Sequence, residues 1–188
     1  MSAATNRIAV LHGVNFDVLE RRDPDLYGGL SLAELEYRIT GFAGEFGLEP
    51  IFFQSNSETD FCGYLHRLSE TADGAIINAG AWSHYSRAIG DAYGVDPVPA
   101  VEVHLSDVEN RDEWRKVSVF EGMVEAKICG KGVDGYREAL ELLAGRLGVC
   151  AVRIPDGQVA FPPDWQPQGR MTPHLTGCWS PTWSTSST

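Results

Sequence analysis

Glu102 and His104 stand two residues apart in the apolar run VPAVEVHL. In a strand, residues i and i+2 share a face, so these two side chains project together while Val101, Val103 and Leu105 project oppositely. Ionisable groups at the end of an apolar strand are costly unless partnered, which makes this carboxylate–imidazole pair a candidate for proton transfer. A satisfied structural Glu–His pair is the other reading, and two residues alone do not decide between them.

Three further clusters carry chemistry. The stretch HGVNFDVLERRDPDLYGG, His12 to Gly29, is too polar and too punctuated by Gly and Pro to be core. Within it Arg21 and Arg22 precede Tyr27, and a nearby cation favours a phenolate over a phenol. A surface tyrosine beside solvated arginines fits the same spacing. Arg111 and Arg115, spaced i, i+4 in NRDEWRK, would stack on one face of a helix and could hold a carboxylate by charge-assisted forks. Asp112 and Glu113 lie close enough for a plain salt-bridge face instead. In IINAGAWSH, Asn78 falls where a strand ends, and the amides of a Gly80–Ser83 turn opening a helix would suit an oxygen-rich or anionic ligand. An Asn-Gly turn with a serine cap explains that stretch equally simply. Each cluster is weak singly. Together they supply a base, an acid, an anion clamp and orienting amides at the same end of successive strands.

The elements that must position them follow from periodicity. Short runs rich in β-branched or aromatic residues recur at Ile8–Leu11, Pro50–Phe53, Ala75–Ile77, Val98–Leu105 and Ala126–Cys129, bounded by Gly, Pro or Asn. Helical patterns alternate with them. Ser31-Leu-Ala-Glu34 reads as a capping box ahead of Leu35, Ile39, Phe42 and Phe46. Asp60 to Leu68 puts Phe61, Tyr64, Leu65 and Leu68 on one face. Ser83–Tyr93 and Asp134–Leu147 read as two more helices, the second with Tyr136, Leu140, Leu143 and Leu147 inward. Strand–helix alternation predicts a three-layer α/β sandwich, with a five-stranded parallel sheet in flavodoxin-like order. In such folds sites form beyond the carboxyl ends of the strands.

With 188 residues, one domain with a real core is expected. The formal charge of −11 disfavours nucleic acid and anionic membrane partners, both polyanions. It leaves room for a small anionic substrate in a locally basic site. Cys62, Cys129, Cys150 and Cys178 form no CxxC pair, so neither a zinc signature nor a disulfide framework is present. The N-terminus lacks a signal-peptide pattern and no apolar run approaches a bilayer's span, so a cytoplasmic protein is expected. Composition shifts near residue 154. Residues 155–188 hold six of the ten prolines, Trp165, Trp179 and Trp183, and only three charges. A catalytic domain over 1–154 with a loose or docked tail over 155–188 is the expected division.

Across roughly residues 7–147 the chain resembles the type II 3-dehydroquinate dehydratases. The resemblance rests on GVNFDVLERRDPDLYG, FFQSN, GAIINAGAWSHYSRAIGDA, VPAVEVHLSDVENRDEWRKVS and GKGVDGYREAL, in that order. It implies a flavodoxin-like lyase without metal or organic cofactor, assembled as a homododecamer of trimers. The implied reaction dehydrates 3-dehydroquinate to 3-dehydroshikimate through an enolate, a step shared by aromatic biosynthesis and quinate breakdown. By position, Tyr27 corresponds to the base and Arg22 to the loop arginine that eases its deprotonation and closes the site. His104 corresponds to the acid, with Glu102 beside it, and Asn15 to the residue orienting a water against the enolate oxygen. Asn78, His84, Ser106, Arg115 and the amides around Leu105 and Ser106 correspond to groups holding hydroxyls and carboxylate. Arg111 matches an arginine near the site, and Asp91 a contribution from a neighbouring subunit.

The chain departs from the family pattern in four places. N-G-P-N reads His12-Gly13-Val14-Asn15, N-P-G-A reads Asn78-Ala79-Gly80-Ala81, and Ser57 and Asp107 replace the usual His and Asn. Two prolines that would stiffen loops are thereby lost. No residue with a proton-transfer role is lost. A homologue acting on a modified, for example amino, dehydroquinate and an idle member kept as an assembly scaffold are the alternative expectations.

Overall fold

The three central strands of the sheet are buried on both faces, as parallel strands between two helical layers must be. In the computed structural model, which describes residues 6–149, the strands are β1 (Arg7–His12), β2 (Glu49–Gln54), β3 (Gly74–Asn78), β4 (Ala100–His104) and β5 (Ala126–Cys129). All pair in parallel, in the order β2-β1-β3-β4-β5. Ile8, Val10, Ile76, Val101 and Val103 face one layer, and Ala9, Leu11, Ala75, Ile77 and Ala100 face the other.

The first layer is α2 (Leu32–Glu45) and α6 (Asp134–Leu147); the second holds α3 (Glu58–Leu65), α4 (Leu68–Thr71) and α5 (Arg87–Val95). Helix α2 starts where expected. The Ser31 hydroxyl accepts from the Glu34 backbone N–H while the Glu34 carboxylate accepts from the Ser31 N–H, closing the capping box. Leu35 and Ile39 from α2, with Tyr136, Leu140 and Leu143 from α6, are fully buried. Burying each such aliphatic side chain contributes roughly 1.5–3 kcal/mol.

Several expected elements differ. The fourth strand is shorter than Val98–Leu105, because Pro97 and Pro99 withhold the N–H groups a ladder needs. The helix expected over Asp60–Leu68 starts earlier, where Ser57 accepts from the Asp60 N–H, and stops at Leu65 before the single turn of α4. The Ser83–Tyr93 helix is two elements: a 3-10 turn over Gly80–His84, then α5, capped by Ser86 rather than Ser83. No helix among the described residues is long and apolar enough to cross a membrane. Cys62 and Cys129 are free thiols. The proposed boundary at residue 154, the tail, Cys150 and Cys178 lie outside the described residues.

Candidate active site

Tyr27 reaches its place through a one-turn helix that the residue types explain. Asp23 caps α1 (Pro24–Tyr27) by accepting from the Asp25 N–H, Pro24 occupies the first turn, and Gly28 ends it at φ 81°. Only a residue free of a Cβ takes that left-handed conformation cheaply. Tyr27 is therefore delivered by a short turn capped at both ends. The Arg22 guanidinium lies over the Tyr27 ring, 3.7 Å from its centroid, and donates to the phenolic oxygen. Arg111 Nη1 donates to the same oxygen at 3.1 Å and to Ser106 Oγ at 3.1 Å. Burial lowers the Arg22 pKa, and Arg111 and Arg115 lower it further, against the pull of Tyr27. It remains a cation at any working pH. Two guanidiniums thus converge on one phenolic oxygen.

The helix expected to stack Arg111 on Arg115 does not form. Asp107 accepts from the Glu109 N–H and caps a 3-10 turn over Val108–Asn110; the chain is extended at Arg111, and a second 3-10 turn covers Glu113–Arg115. The two arginines separate. Arg111 goes to Tyr27 and Ser106, whereas Arg115 lies 4.1 Å from the Trp114 ring centroid and 3.4 Å from the Asp112 carboxylate.

Alternation along β4 sends Glu102 and His104 to the layer opposite Val101 and Val103, as expected. Both are buried, at 1% and 5% exposure, and His104 Nε2 lies 2.8 Å from Glu102 Oε1. His84 stacks on His104 with centroids 5.1 Å apart. Burial holds the His84 pKa below its ordinary value, with His104 and Arg115 adding to the shift and the Val117 carbonyl opposing it. His84 is thus neutral near pH 7, its Nδ1 donating to the Val117 carbonyl at 2.8 Å and its Nε2 left as an acceptor. Ser106, two residues beyond His104 along the chain and also buried, accepts from the Arg111 guanidinium that also reaches Tyr27. Leu105, between them, is apolar core.

Asn78 ends β3 on the α6 side, where its amide donates to Tyr136 Oη at 3.0 Å. Desolvation pushes the Tyr136 pKa far up, so this partner is a neutral phenol. Asn15 sits on the loop after β1 at φ 68°, a conformation that asparagine tolerates better than most residues, with its N–H donating to Asn56 Oδ1 at 2.8 Å. His12 is fully buried against Phe16, with ring centroids 4.9 Å apart, and its Nδ1 is 3.7 Å from Glu36, beyond hydrogen-bond range. Burial lowers its pKa. Asp91 lies exposed on α5 and lines a groove of about 840 Å³ with Arg87, Val117, Ser118 and Met123, so its own chain sets it beside Ser118 rather than Tyr27. No group of three His, Cys, Asp or Glu side chains among the described residues could hold a metal ion.

The loops after β1 and β3 lock through glycines. A Cβ on Gly13 would stand 2.2 Å from the Ala79 carbonyl oxygen, and one on Gly80, at φ 67°, 2.9 Å from the Val14 carbonyl oxygen. Gly13 N–H also donates to the Asn78 carbonyl at 2.9 Å. Gly13→Ala is expected to destabilise the fold by about 3 kcal/mol, because backbone rather than a flexible side chain must give way. A urea midpoint matching wild type would contradict this.

Two contacts had no signal in the sequence. Tyr136 reads as core from its helical position, and nothing marks its hydroxyl as the partner of Asn78. Ser118 lies in an irregular stretch, yet donates to Glu102 Oε2 at 2.5 Å.

Comparison with known proteins adds to this geometry. The family model described as Dehydroquinase class II matches residues 6–144. The 3-dehydroquinate dehydratase of Pelotomaculum thermopropionicum is 42% identical over 142 residues, covering 76% of this chain and 99% of that protein. That of Carboxydothermus hydrogenoformans is 46% identical over 134 residues, covering 71% and 87%. Among solved structures, the type II dehydroquinase of Propionibacterium acnes superposes with a TM-score of 0.70 at 37% identity, covering 75% of this chain and 97% of that one.

Proposed function

The chain belongs to the class II dehydroquinase family, and on that premise we propose that it is a hydro-lyase that dehydrates 3-dehydroquinate to 3-dehydroshikimate through an enolate. The observation that carries the reading is the Tyr27 oxygen under two guanidiniums, on the same rim as a buried imidazole–carboxylate pair. Tyr27, as phenolate, takes a proton from the carbon beside the ketone, and the C–H electron pair becomes the enolate. A water held by Asn15 shares the oxyanion charge. The enolate then collapses and expels the hydroxyl on the neighbouring carbon. His104 protonates that leaving group, so water departs and a conjugated enone remains. Nε2 is turned to Glu102, which makes Nδ1 the nitrogen that transfers the proton.

Binding falls to groups around this axis. His84 Nε2, Asn78 and Ser106 offer partners to substrate hydroxyls, and Arg115 with the Leu105 and Ser106 amides meets the carboxylate. Arg111 has a shared duty, orienting Ser106 and holding charge at Tyr27. Arg22, on the loop between β1 and α1, closes over the bound ring and keeps water from the intermediate. In this reading the enzyme works as a homododecamer of trimers, and Asp91 serves a neighbouring copy's site. Sedimentation of the purified protein checks the assembly.

The decisive measurement is the rise in ultraviolet absorbance of the enone when purified protein meets 3-dehydroquinate. A folded, assembled protein that produces no enone overturns the proposal.

A further inference from the structure

We propose that Ser118 is a positioning residue of the Glu102–His104 pair, fixing the carboxylate so that His104 keeps a proton on Nε2 and presents Nδ1 for transfer. This rests on the reading of His104 as the proton donor. Glu102 is bridged on both oxygens: Oε1 meets His104 Nε2 at 2.8 Å, and Oε2 accepts from the Ser118 hydroxyl at 2.5 Å. The hydroxyl is itself oriented. Its oxygen accepts from the Phe120 backbone N–H at 3.1 Å, so its single proton is left to point at the carboxylate. Phe120 is fully buried, its ring edge-on to Tyr93 with centroids 6.0 Å apart, which anchors the donor to the core.

Two consequences follow for the pair. A carboxylate fixed by the Ser118 hydroxyl on one oxygen presents the other to His104 Nε2 as an acceptor, which selects the ring form carrying its N–H there. A carboxylate held at both oxygens also cannot swing, and it fixes the plane of the imidazole stacked on His84. Ser118 touches no substrate in this arrangement. Its effect passes through Glu102, as the outer partners of an active imidazole act by orienting it.

Steady-state kinetics with 3-dehydroquinate on wild type, Ser118→Ala and Ser118→Thr test this, together with ¹⁵N NMR of the His104 ring. Ser118→Ala is expected to lower kcat by about 10- to 100-fold, the loss of one hydrogen bond to a charged group, with KM changed less than about threefold. Ser118→Thr, which keeps the hydroxyl, restores kcat to within about threefold of wild type. The His104 Nε2 resonance is that of a protonated nitrogen in wild type and shifts toward a mixture of tautomers in the alanine variant. If Ser118→Ala does not fold, Ser118→Cys, close in size with a much weaker donor, takes its place with the same expected losses. Wild-type kcat and an unchanged His104 spectrum in the folded variant overturn the proposal. An inactive wild type overturns the proposed reaction instead, and the NMR comparison still decides whether Ser118 sets the tautomer.

Discussion

Tyr27→Phe leaves a folded protein whose kcat for 3-dehydroquinate falls by about 10³-fold, within the range typical of losing a positioned general base. The variant is a clean one. Phenylalanine keeps the ring that lies under the Arg22 guanidinium at 3.7 Å, so the packing of α1 and the loop before it is unchanged. What disappears is the one oxygen that accepts from both Arg22 and Arg111. Arg111 still has Ser106 as an acceptor. Substrate grip is therefore expected to change little, and the loss to fall in kcat rather than KM. Circular dichroism matching wild type, with turnover reduced by that factor, is the supporting result. Turnover near wild type in the same preparation removes Tyr27 from the role of base.

His104→Ala is expected to cost more than activity. With the acid gone, kcat falls by about 10²- to 10⁴-fold. The change also leaves Glu102, 1% exposed, with Ser118 as the partner of one oxygen and a void at the other. Leaving one oxygen of a buried carboxylate without its hydrogen-bond partner costs about 1–3 kcal/mol or more. The variant should thus melt well below wild type, whereas Tyr27→Phe should not. Added imidazole, free to enter the vacated space beside His84, should return part of the lost turnover. A variant with wild-type turnover excludes His104 as the acid, and one with a wild-type melting temperature shows that Glu102 needs no partner there.

Much of this site was legible in the residues because strand alternation is a local rule. The faces of Glu102 and His104 follow from Val101 and Val103 alone, and the capping box at Ser31 and Glu34 from four consecutive positions. The Dehydroquinase class II match bears out the family expectation. What failed was decided locally by competitors of the α-helix. Asp107 caps its own short turn, the backbone is extended at Arg111, and the i, i+4 face expected for Arg111 and Arg115 never forms. The signal for α1 was present, as Asp-Pro at the start and Gly at the end, but in a stretch that reads as loop. Other contacts had no local signal. Arg111 meets a tyrosine 84 positions earlier, Tyr136 meets Asn78 across 58, and Ser118 meets Glu102 across an irregular stretch. Spacing rules say nothing of such pairs, because only the closed fold brings them together.

The reciprocal fit of Gly13 with Ala79 and of Gly80 with Val14 restrains two loops that have valine and alanine where prolines would stand. Proline would restrict each loop by itself, through its own φ angle. Here each loop is instead the mould of the other, main chain against main chain. Asn15 and Asn78 hang from opposite halves of this joint, so the span between them is gauged by backbone atoms and not by the side chains at 14 and 79. Both joint faces are main chain, so positions 13 and 80 are each held to glycine on their own account, like the two cheeks of a dovetail.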